Sequence, residues 1–302
     1  MSTDSPDARA AAGTPVLGAG LVLAASLLWG TTGSVATFAP TAASPVSVGA
    51  ATMGVGGLLI TGLAARRVPA VLRSATARPW ALLGGVCVVI YPLAFYSAMD
   101  AAGVAIGTVV NIGSSPVFAA LYERFGDGTP LQRRWIVSTV IAAAGCVAIT
   151  MSHNPGAGEH TGAGVALGLL AGATYAGFSH LSARIIRCGH DSTAAMGSIF
   201  GLGACVLLPV LAVTGGPLLA DPTGRLVTGY LAVVPMCLAY LLFGAALRRV
   251  TASTAVTISL AETVVAAILS VWLAGQRLEA LSWAGVTAVV VGLVLLTVHR
   301  RR

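Results

Sequence analysis

The chain has 302 residues, of which 56% are hydrophobic and only 9% charged, with a mean hydropathy of +0.89. An average soluble domain carries about 25% charged residues, and one or two soluble cores of this length could not hide so much apolar surface. A net charge of +7 would point to nucleic acid in a soluble chain, but here the placement of the basic residues argues against that partner.

The chain opens with MSTDSPDARAAAG, a polar stretch without the basic n-region of a secretory signal. Residues 1–15 are expected to form a disordered cytoplasmic tail. Apolar blocks follow at 16–39, 44–64, 80–98, 103–122 and 134–151. After an external linker at 152–161 come five more, at 162–183, 191–214, 226–246, 251–274 and 281–298, then a basic tail at 299–302. Each block is roughly 20 residues, the length a helix needs to cross a bilayer core. Barrel strands would show shorter, alternating segments, and spanning helices satisfy their backbone internally. The expected fold is therefore an all-α integral membrane protein of ten transmembrane helices.

All 17 basic residues apart from histidine are arginines. Threaded through ten spans from a cytoplasmic N-terminus, all but Arg225 and Arg277 fall on the cytoplasmic side, among them Arg66, Arg67, Arg133, Arg134, Arg248 and Arg249. That asymmetry follows the positive-inside rule and places both termini in the cytoplasm. Arginine without lysine, beside abundant alanine, suggests a GC-rich bacterium and hence a bacterial cytoplasmic membrane. The five cysteines lack C-x-x-C spacing and read as small apolar packers.

The two halves resemble each other. GAGLVLAASL (18–27) matches GAGVALGLLA (162–171), SSPVFAALYERFGDGTPL (114–131) aligns with AETVVAAILSVWLAGQRL (261–278), and GCVAIT (145–150) matches GLVLLT (292–297). The offsets stay near 147 and the order is preserved. Five spans per copy is an odd number, so the second copy must enter the membrane upside down. Such inverted repeats are a recurrent plan of secondary transporters.

Several segments carry a family likeness: LLWG (27–30), SSPVFAAL (114–121), LAETVVAAIL (260–269), GQRL (275–278) and GVTAVVVGLVLL (285–296). With them the chain resembles the ten-span EamA branch of the drug/metabolite transporter superfamily. The resemblance implies repeats at 16–151 and 162–298, transport of a small molecule, and export as its direction. Thr263 and Gln276 stand where the family usually has proline and glutamate.

Glu262 is the leading site candidate. As a continuous helix, 251–274 would put roughly 17 Å on either side of it. An acid at mid-membrane costs at least about 2.5 kcal/mol on insertion scales and by default marks an ion or substrate path. No Arg or His lies at its depth, which leaves a proton or a substrate cation as its partner. The alternative is a structural Glu bonded to a neighbouring helix. Ser115 aligns with Glu262 in the repeat. Thr108, Asn111 and Ser115 share one face of the fourth span, and Ser259 lies three residues before Glu262, so the fourth and ninth spans are expected to face each other. Interhelical glue is the alternative for these polar groups.

Trp29, Tyr91 and Tyr175 lie near mid-span and could line a pocket or offer a cation–π surface; packing against lipid or helices is the other reading. Pro92 and Pro235, in corresponding spans, are candidate gating bends. Gly164, Gly168 and Gly172 form a close-packing face. His153, Glu159 and His160 read as a solvated loop, so no metal is expected. No paired intramembrane acids, Ser–His pair, HExxH or GxxxxGK[ST] appears, which argues against an enzyme, a nucleotide-driven pump and any cofactor. Because the spans lack a cationic clamp, phosphorylated substrates are disfavoured. Amines, amino acids and neutral metabolites remain. A packing or lipid-scrambling protein with a structural Glu262 is the competing class.

Overall fold

The computed structural model describes residues 6–153, 160–274 and 279–297. GQRL (275–278), Arg277, Glu159 and most of the linker lie outside them. The described residues form helices α1 (Pro6–Ala36), α2 (Pro45–Leu63), α3 (Val68–Arg73), α4 (Arg78–Ala102), α5 (Val104–Gly126), α6 (Arg133–His153) and α7 (Thr161–Arg187). They continue with α8 (Ser192–Thr214), α9 (Gly216–Ala220), α10 (Pro222–Leu231), a π-helical stretch (Ala232–Leu238), α11 (Ala239–Ala246), α12 (Ala252–Ser259), α13 (Ala261–Ala274) and α14 (Ala280–Thr297). Spans one to five are α1, α2, α4, α5 and α6. Spans six to ten are α7, α8, α10 with α11, α12 with α13, and α14.

Local chemistry sets the boundaries. Ser44 caps α2, accepting the Ser47 N–H at 3.1 Å, with Pro45 at the first helical position where a missing N–H costs nothing. Asp191 caps α8 through Thr193 and Ala194, and Asp221 caps α10 through Gly224. Gly103 alone joins α4 to α5 with φ +89°, a left-handed turn that a side chain would resist. At the start, the helix runs ten residues further toward the N-terminus than the boundary expected at 16, and residues 1–5 lie outside the described part. The alanine-rich ARAAA stretch explains the extension, since alanine has the highest helix propensity.

The packing shows the inverted repeat directly. Helix α1 packs on α11, α12 and α13, as its counterpart α7 packs on α4 and α5. Helix α2 meets the π-helical stretch as α8 meets α4, and α5 meets α6 as α13 meets α14. Three contacts are their own images: α2 with α8, α6 with α14, and α5 with α12. Exchanging the halves therefore reproduces the contact pattern, as a two-fold between them requires. The symmetry reaches single residues. Gly145 lies against Gly285 and Val289, while Gly292, 147 positions after Gly145, lies against Ser138 and Ala142, each 147 positions before those partners. Backbones touch at both places, which is how small residues hold helices together in lipid. Gly164, Gly168 and Gly172 likewise face Ala102, Val110 and the Asn111 carbonyl, seating α7 on the end of α4 and on α5.

Two spans depart from a regular α-helix. The eighth carries Pro235 in its π-helical stretch, where the wider turn accommodates a residue with no N–H to give. The ninth breaks at Leu260, whose N–H bonds the Thr257 carbonyl while the Thr263 N–H bonds the Leu260 carbonyl, both three residues back. The cysteines are all free; Cys146 and Cys237 pack inside as expected, while Cys188 and Cys205 are exposed.

Candidate functional site

A cavity of about 560 Å³ lies between the halves. Its lining runs from Trp29, Tyr240 and Val256 in mid-bundle to Ala36, Gly49, Met99 and Val104 at the Arg-poor end. Glu262, Ser259, Asn111, Ser115, Trp29, Tyr91 and Tyr175 all contribute to this one surface, together with Pro92, Pro235 and Thr108. Residues far apart in sequence meet here because α5 and α12 cross at the two-fold.

The break at Leu260 changes the setting of Glu262. A continuous ninth helix would leave it in a helix interior; instead it sits in the first turn of α13. Free N–H groups at such a terminus favour negative charge, and broken spans with half-helix termini are a recurrent feature of transporter sites. Thr263, at the family's proline position, keeps the break through its bond to Leu260. Gly30, the last residue of LLWG, lies against the Glu262 carbonyl and Val265, so a side chain there would push α1 off α13. No side-chain hydrogen bond or ion pair holds Glu262 among the described residues. Tyr91, Tyr175 and Tyr240 line the cavity with it.

Most hydroxyls around the cavity are already engaged. Ser115 Oγ donates to the Asn111 carbonyl at 2.7 Å, Ser259 Oγ donates to the Val256 carbonyl at 2.8 Å, and Tyr175 donates to Ser259 at 3.2 Å. Thr108 Oγ1 points to the sulfur of Met99, 3.7 Å away. Two buried polar atoms remain unsatisfied: Asn111 Oδ1 and Thr263 Oγ1. Around them stand Trp29, 5.0 Å from Tyr240 between ring centroids, and Tyr91, 5.6 Å from Tyr175. Tyr240, Phe95 and Tyr96 also line the cavity and were not legible as site residues. Tyr240 follows directly on the π-helical stretch.

The Arg-rich end is tied shut. Glu123, only 4% exposed, accepts the Ser253 N–H at 2.9 Å and the Ser253 hydroxyl at 2.5 Å. Sequence position made Glu123 an ordinary span-end acid. An available signal is its place in the last turn of α5, where a helix disfavours negative charge and a donor is needed. The N-terminus of α12 supplies that donor. Asp127 pairs with Arg184 and Arg187 at 2.9 and 2.6 Å, binding the α5–α6 connection to α7, and Arg184 lies over the Trp80 ring. His180 is buried beside Asp127 at 3.8 Å and belongs to this closure. Thr139 and Thr257 bond across α6 and α12 at 3.1 Å. No group of three or more metal-ligating side chains occurs among the described residues; His160 is exposed, and Glu159 lies outside them.

Two inverted five-helix repeats closing on one central cavity are the architecture of a multi-pass membrane transporter. The model of the EamA-like transporter family matches residues 16–151 and again 162–298, and the chain belongs to that family. The transporter YwfM of Bacillus subtilis (strain 168) is 33% identical over 286 residues, covering 93% of this chain and 94% of its own. A solved crystal structure, 19% identical, superposes with a TM-score of 0.77 over 93% of this chain and 96% of its own length, a likeness of fold.

Proposed function

We propose that this chain is a secondary transporter that exports a small amine, amino acid or neutral metabolite across a bacterial cytoplasmic membrane by alternating access. The observation that carries the reading is a cavity built by both repeats that holds a carboxylate, Glu262, with no partner among the described residues. Its lining reaches the Arg-poor end, while Glu123–Ser253 and the Asp127 pairs close the other. With the Arg-rich side cytoplasmic by the positive-inside rule, this conformation faces outward. Exchanging the conformations of the two halves turns the same site inward, with Pro92 and the stretch around Pro235 as bending points.

Glu262 carries a proton in one access state and releases it, or pairs with a substrate cation, in the other. Burial opposes an uncompensated charge in either state, so movement of the site requires one partner or the other. Substrate flow in one direction is thereby coupled to proton flow in the opposite direction. The test is transport into liposomes containing purified protein, over a panel of amines, amino acids and neutral metabolites, with and without a pH gradient. Glu262→Gln keeps the shape of the side chain without its titration and abolishes gradient-driven transport. Gradient-driven rates equal to wild type in that variant would make Glu262 a structural residue.

A further inference from the structure

Resting on the reading of the cavity as a transport site, its unsatisfied groups narrow the substrate class. The hydroxyls of Ser115 and Ser259 are spent on carbonyls of their own helices. Asn111, 5% exposed, keeps its Oδ1 without a donor, and the half-buried Glu262 carboxylate has no donor among the described residues either. Leaving a buried acceptor unsatisfied costs about 1–3 kcal/mol, and more when it is charged. Both acceptors line the same cavity, as does Tyr91. A ligand with at least two N–H donors on one cationic nitrogen answers both at once. Aromatic faces supply part of the wall, and a cation over such a face is attracted to its π-system.

The same inventory tells against two neighbouring classes. An amino acid brings a carboxylate, and among the described residues no Arg, Lys or His lines the cavity to receive it. Toward the Arg-poor end the lining offers that carboxylate neutral groups only, among them Ala36, Gly49, Thr52 and Met99. A quaternary ammonium ion satisfies Glu262 electrostatically but has no N–H for Asn111. We propose that the site selects a primary or secondary ammonium ion on an apolar or aromatic body, over both zwitterionic amino acids and quaternary ammonium ions.

Three probes that share one phenylethyl body separate these classes: 2-phenylethylamine, its N-trimethylated analogue and phenylalanine. Binding is measured by calorimetry on purified full-length protein at neutral pH. The primary amine is expected to bind about tenfold or more tightly than either of the others, the effect of one hydrogen bond to a charged donor. Asn111→Ala is expected to shrink the gap between primary and quaternary amines to about threefold, and Asn111→Asp, which keeps an acceptor, to preserve it. Glu262→Gln is expected to remove binding of both cations. Equal binding of the quaternary ion by wild type overturns the proposal, as does tighter binding of phenylalanine or no binding of any probe. Transport is judged separately: liposomes that move phenylalanine and not the amine would retain the transporter reading and discard this one.

Discussion

Glu123 offers a quantitative test of how the Arg-rich end is closed. Its carboxylate accepts two bonds from Ser253, at 2.9 and 2.5 Å, and it is almost wholly buried. Hydrogen bonds to a charged group contribute about 1.5–3 kcal/mol each. Glu123→Ala removes both and strands the Ser253 N–H at the start of α12, but it also relieves the burial of a charge. A net loss of about 3 kcal/mol to the closed arrangement follows, and at 1.4 kcal/mol per factor of ten the open population rises on the order of 100-fold. Glu123→Gln retains an acceptor for the N–H and can donate to the hydroxyl, so it should cost about 1 kcal/mol, roughly fivefold. The assay places a cysteine at Ser259, in a background without the native cysteines, and measures its labelling rate from the Arg-rich side of oriented vesicles. Thermal melting of each variant checks that the bundle survives. A Glu123→Ala protein that melts normally and labels within about threefold of its parent would refute the latch, because the worked magnitude allows no such small effect.

Other outcomes follow from the same geometry. Cysteines at Gln132 and His160, both exposed, should label from the cytoplasmic and external faces respectively; labelling of both from one face would overturn the orientation. Gly285→Val pushes a side chain into the Gly145 carbonyl across α6 and α14, and should lower stability by about 1–3 kcal/mol in a melting assay, whereas Val290→Ala on the exposed face of α14 should not. Tyr175→Phe removes one neutral bond to Ser259 and should weaken substrate binding by less than about tenfold. Tyr175→Ala, which also removes the ring facing Tyr91, should weaken it further.

The sequence alone determined the class of fold, because lipid leaves few choices. Apolar blocks of bilayer length must be helices, a near-constant offset marks a second copy, and an odd number of spans per copy inverts it. Those rules act locally or on counts, so they can be read along one dimension. The same logic singled out Glu262, since an acid deep in an apolar block is costly wherever the neighbours lie. What the sequence left open depended on partners far away in the chain. Whether Glu262 sits in a helix interior or at a half-helix terminus depended on the break at Leu260, where the helix continues smoothly in pattern but not in hydrogen bonding. Tyr240 lines the cavity directly after the π-helical stretch, which no periodicity announces. Glu123 changed from a span-end acid into a buried acceptor only because α12 begins beside it, 130 residues later in the chain. Hydropathy records the cost of placing a group in lipid, while the answer to that cost is a donor supplied by another helix, and only the packed bundle brings the two together.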